Sequence, residues 1–162
     1  MMKWKAMLMA AAMATSLGAV QAQVVTKHIQ TDKSAIASGV WAGDTFYLSG
    51  ILADPTTPAD RAKGTPAVYG DTAAQSASVF SKIQAALKEQ GLGMGDVVQM
   101  TVLLAADPAT GKMDFRGMQS EFVKYFGTQD QPNKPARETF QAGALAAQGA
   151  LIEVEVIAVK GK

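Results

Sequence analysis

The chain has no cysteine and a single histidine, His28. The first absence excludes a thiol nucleophile, a disulfide and any thiolate metal site. The second makes a metal centre hard to build, because one imidazole without Cys or clustered carboxylates is a weak ligand set. It also leaves no Ser-His-Asp arrangement with a rationale, since His28 sits near the start of the folded part. Charge is scarce as well. Charged residues are 18% of the chain, and 15 basic side chains stand against 14 acidic ones. No basic run carries interleaved aromatics, so the electrostatic footprint of a nucleic-acid binder is missing, and nucleic acid is not expected as a partner.

Only one stretch is apolar over any length, and it lies at the N-terminus. Lys3, Trp4 and Lys5 form a short basic segment, Ala6 to Val20 is uncharged, and Val20-Gln21-Ala22 puts small residues at the −3 and −1 positions of a cleavage site. This predicts a signal peptide over residues 1–22, cut after Ala22, and a periplasmic or secreted mature domain over 23–162. The competing reading is a membrane anchor, but the run falls short of the roughly 20 apolar residues a bilayer span needs. Removing Lys3 and Lys5 takes the formal charge from +1 by two units to −1. No membrane association is expected after cleavage.

What is present reads as one α+β domain. Val24 to Ile29 is β-prone. Val40–Ala42 and Thr45–Ser49 flank Gly43-Asp44, a turn pair that predicts a hairpin ending at Ser49-Gly50. Residues 53–70, rich in Pro, Gly and Thr, form a loop. Thr72 is expected to cap a helix with Gln75 as its capping-box partner, and Val79, Phe80, Ile83, Ala86 and Leu87 give that helix one apolar stripe, stopped at Gly91. Val97 to Leu104 alternates, with Val98, Met100, Val102 and Leu104 on one face, which predicts a strand. Phe115, Met118, Phe122 and Phe126 predict the buried face of a second helix reaching Gly127. Short strands follow at Arg137–Gln141 and Leu151–Val159. The pattern is a mixed sheet with two helices on one face.

Two places could carry chemistry. On the last strand Ile152, Val154, Val156 and Ala158 point one way; Leu151, Glu153, Glu155, Ile157 and Val159 point the other. The second face is too apolar for open solvent and too polar for a core, which suggests cover by another subunit or a ligand; an ordinary exposed face is the plainer alternative. Arg137 follows the Pro-restricted segment Pro135-Ala136, and its planar fork suits a carboxylate. From spacing alone the plainer reading, an arginine paired with Glu153 or Glu155, is preferred. Asp107 and Asp114 are explained by turn and helix capping, and Trp41 and Tyr47 by packing. Gly91-Leu92-Gly93-Met94-Gly95 follows a helix and precedes a strand, the wrong order for a dinucleotide fingerprint.

The segments Ser49-Gly50, Gly91 to Val102, Phe115 to Phe126, Pro135-Ala136-Arg137 and Ile152 to Ala158 together resemble the RidA/YjgF family, over about Val24 to Lys160. The resemblance implies the chorismate-mutase-like (YjgF) fold, a mixed six-stranded sheet with two helices, assembled as a homotrimer with clefts between subunits. It implies hydrolysis of 2-enamine or 2-imine acids to 2-keto acids and ammonia. Arg137 then holds the substrate carboxylate and Glu153 orients or activates water. Gly50, Ile51, Thr139 and Gln119 line the pocket. No metal or organic cofactor is implied. Ile51 stands where the family has Gln, Thr139 where a Cys is common, Gln119 where Asn is frequent, and Ala35-Ile36 where a Pro-Tyr pair falls. Two further readings remain open: a trimer that binds small carboxylates without turnover, and a chaperone-like holdase using apolar surface.

Overall fold

The computed structural model describes residues 24–161, and the signal-peptide expectation for 1–22 lies outside them. The strands are β1 (Thr26–Ile29), β2 (Gly39–Ala42), β3 (Thr45–Leu52), β4 (Val97–Leu104), β5 (Ala136–Gln141) and β6 (Ile152–Val159). The helices are α1 (Thr72–Glu89) and α2 (Phe115–Phe122). They form one six-stranded sheet in the order β1-β2-β3-β6-β4-β5. Every neighbouring pair is antiparallel except β4 and β5, which α2 joins as a crossover. A parallel pair needs such a crossover, whereas β2 and β3 need only the two-residue turn, where Gly43 takes φ 61°. The expected α+β architecture is therefore the observed one.

One face of the sheet is the core. Phe46, Leu48, Met100, Val102, Leu104, Ile152, Val154, Val156 and Ala158 pack under the Val79, Phe80, Ile83 and Leu87 stripe of α1 and under Met118 and Phe122 of α2. Burial of each large apolar side chain contributes about 1.5–3 kcal/mol.

Four local expectations are corrected. The α1 cap is Asp71, not Thr72: the Asp71 carboxylate accepts from the Ala74 N–H at 2.8 Å. Thr72 is the first helical residue, fully buried, and its hydroxyl has no partner among the described residues. Gln75 makes no capping box. Its amide donates to the Gly70 and Gly149 carbonyls and accepts from the Leu151 N–H, so it ties α1 to the start of β6. In β4 the strict alternation fails at its start. A register shift between Val97 and Gln99 inserts one extra residue, so Val97 is buried and Val98 is exposed. That is the signature of a β-bulge. Finally, α2 stops at Phe122 rather than running on to Gly127. Phe126 still reaches the core through the turns that follow, while Phe115 stays partly exposed.

A second bulge lies in β3, between Leu48 and Ile51. It carries the strand past Ser49-Gly50 to Leu52 and reverses its facing: Ile51 pairs with the core-facing Val154, and Leu52 pairs with Glu153. This bulge shapes the candidate site.

Candidate functional site

Arg137 is the second residue of β5, an edge strand, and pairs with Met100. Paired residues share a face, so Arg137 leans toward α2 rather than toward the outer face. There Nη2 donates to Oε1 of Gln119 at 2.8 Å, and Nη1 lies 3.9 Å from the Met118 sulfur. The guanidinium carbon sits 4.2 Å from the Phe122 ring centroid and 5.6 Å from that of Phe115. Met118, Gln119 and Phe122 recur at i, i+1 and i+4, so one side of α2 presents them all to β5.

The plainer expectation, an arginine paired with Glu153 or Glu155, does not describe this arrangement. No carboxylate among the described residues lies within 4.0 Å of Arg137. Burial lowers its pKa from the ordinary arginine value, because desolvation disfavours the charged form. Arginine stays protonated in proteins even so. A half-buried cation with most of its N–H groups uncommitted is a prepared anion site.

Glu153 lies elsewhere. It pairs with Leu103 on one side and Leu52 on the other, on the outer face of the sheet. Its carboxylate lies over Gly50, where a Cβ would collide with it. Glycine at the bulge therefore leaves room for that side chain. Around it the outer face carries Thr101, Leu103, Glu155 and Ile157, with Tyr47 and Phe140 exposed.

The expected site residues thus fall into two groups. Arg137, Gln119 and, two residues along β5, Thr139 share the α2 side. Glu153 and Gly50 share the outer face. Ile51 packs its side chain against the core and can offer a ligand only its backbone. Within one chain the sheet separates Arg137 from Glu153. Phe122 and Met118 as direct partners of Arg137 were not foreseen from sequence; both had been assigned to the core alone. The available signal was their helical spacing with Gln119. Among the described residues no cluster of three or more His, Cys, Asp or Glu forms a metal site.

Against known proteins, the family model described as Endoribonuclease L-PSP matches residues 20–160. A RutC family protein from Pyrococcus abyssi is 37% identical over 125 residues, 76% of this chain and 85% of the relative. A 2-iminobutanoate/2-iminopropanoate deaminase from Salmonella typhimurium is 26% identical over 136 residues, 84% and 99% of the two chains. The crystal structure of a YjgF family member from Neisseria meningitidis matches with a TM-score of 0.64 at 22% identity, covering 87% of this chain and 99% of that one.

Proposed function

The chain belongs to the Endoribonuclease L-PSP (YjgF/RidA) family, and from that premise we propose that it hydrolyses 2-imino and 2-enamino acids to 2-keto acids and ammonia, in clefts between the subunits of a homotrimer. The observation that carries the reading is Arg137, a fixed guanidinium without an internal carboxylate partner among the described residues. The placement of Glu153 supports an assembly of this kind. One ligand can meet both groups only if it lies between two copies, with Arg137, Gln119 and Thr139 from one subunit and Gly50 and Glu153 from its neighbour. The exposed Tyr47 and Phe140 on the outer face supply apolar area for such an interface.

The chemistry asks little of the protein. Arg137 binds the substrate carboxylate and holds C2 in place. Glu153 takes a proton from water as the water oxygen adds to C2, then returns it to the nitrogen. A 2-enamino acid first tautomerises to the imine. In the carbinolamine that water addition forms, Glu153 then carries the hydroxyl proton to the amine. The C–N bond breaks, ammonia leaves with both water protons, and the former water oxygen becomes the keto oxygen. With a formal charge of −1 once Lys3 and Lys5 are removed, and no basic stripe, the chain lacks an electrostatic footprint for RNA. Export through residues 1–22 belongs to the same proposal, and N-terminal sequencing of exported material should find a start at Gln23; a start at Met1 would refute it.

A second reading, a trimer that binds small carboxylates without turnover, is favoured by one feature. Where the family pattern has a tyrosine, this chain presents Ile36, 71% exposed and without a polar group. One assay separates the two. Imino acids generated in situ by an amino-acid oxidase are followed for ammonia and keto-acid release. Wild type should accelerate release, and Arg137→Ala should lose about 10–100-fold, the effect of removing a hydrogen-bonded charge. No acceleration by wild type for any side chain tested would overturn the deaminase reading.

A further inference from the structure

Arg137 rests on more than a single ring. Phe122 and Phe126 stack with centroids 4.7 Å apart and planes 23° from parallel, and the guanidinium carbon lies over the Phe122 ring at 4.2 Å. Phe80 closes the side of the stack, edge-on to Phe122 at 6.2 Å. Both stacked rings are nearly fully buried, at 7% and 2% exposure, so neither can turn away without opening the core. One face of the guanidinium is thereby covered by the aromatic stack. Gln119 fixes one edge through Nη2, and Met118 covers Nη1. The remaining N–H groups have no partner among the described residues, and they lie in the plane of the cation.

We propose that Phe122, backed by Phe126, is a positioning residue for anion recognition: it sets the attitude of the Arg137 fork, so that the site takes a planar carboxylate approaching edge-on. This role rests on the reading of Arg137 as the carboxylate holder. A ring face attracts a cation through its quadrupole and does so most strongly where water is excluded. Restricting the fork before the ligand arrives lowers the ordering cost of binding. In this role the ring acts on the guanidinium and not on the ligand. Its loss therefore acts on affinity and leaves the chemical step in place.

The test uses the full chain and pyruvate as a planar carboxylate probe, with Kd from calorimetry and kcat and KM from the imine assay. Phe122→Met keeps an apolar side chain of comparable bulk but removes the ring. It should raise Kd and KM by about tenfold, the scale of a desolvated cation–π contact, with kcat changed by less than about twofold. Phe122→Tyr restores the ring and should return both constants to within about twofold of wild type. Loss of binding in Arg137→Ala with none in Phe122→Met overturns the positioning role alone. Equal loss in Phe122→Met and Phe122→Tyr overturns it too. Unchanged pyruvate binding in Arg137→Ala overturns the carboxylate reading itself. If Phe122→Met does not fold, nitrogen NMR of the wild-type guanidinium decides: resolved Nη signals are expected for a held fork, and averaged signals overturn the proposal.

Discussion

Beneath the helices Met100, Val102, Leu104, Ile152 and Val154 have no solvent exposure, whereas on the reverse of the same sheet Tyr47 and Phe140 are 46% and 51% exposed. Both faces are made by the same strands, from alternating residues. The inner face is closed by α1 and α2 and supplies stability. The outer face mixes Leu103 and Ile157 with Glu153, Glu155 and Thr101, and no helix among the described residues covers it. Apolar residues are inside by necessity but outside only for a reason, so the informative face is the second one. The comparison also explains the divided site. Arg137 sits on the helix side, Glu153 on the open side, and β-sheet geometry alone keeps them apart.

The comparison can be broken most directly on the inner face. Met100→Ala should cost about 2–5 kcal/mol in urea unfolding, because a cavity opens among residues that cannot collapse. A cost below about 1 kcal/mol would mean that the helices do not close this face as tightly as described. Gln75→Leu comes next. It strips partners from Leu151 N–H and from two carbonyls in a buried place, and about 2–4 kcal/mol should be lost. Phe140→Asp tests the other side. Circular dichroism should be unchanged and subunit stability altered by less than about 1 kcal/mol, while light scattering should show a smaller assembly than wild type. An unchanged assembly mass would remove the outer face from the interface. Smallest is Thr72→Val. Replacing a buried hydroxyl that has no partner among the described residues should raise stability by about 0.5–1 kcal/mol; a loss would mean that the hydroxyl is bonded after all.

Much of this was legible beforehand. Period-2 alternation in Ile152–Val159 and the apolar stripe of α1 located the two sides of the core, and Gly43-Asp44 located the hairpin. The failures were all local. Asp71, rather than Thr72, captures the helix N-terminus, because one residue's difference in where the helix begins decides which side chain is free to cap. Two bulges reversed the facing of Val97 and Val98 and turned Ile51 inward. A one-residue insertion leaves no compositional trace, yet it flips every side chain beyond it. The Arg137 neighbourhood was half visible. Its suitability for a carboxylate lay in the residue type, while the preference for a salt bridge to Glu153 or Glu155 came from spacing alone, which shows neither that β4 stands between β5 and β6 nor that the two side chains take opposite faces of the sheet.

The class of fold, the order of its elements and the presence of an arginine suited to an anion can be read from the amino-acid order. These follow from hydrophobic periodicity, turn chemistry and side-chain identity, which are local. Only the tertiary structure decided that Arg137 lies on an aromatic stack, that Glu153 leans over Gly50, and that the sheet stands between them. Those facts depend on strand register and on which helix covers which edge. Both are settled by long-range packing of residues far apart in the chain.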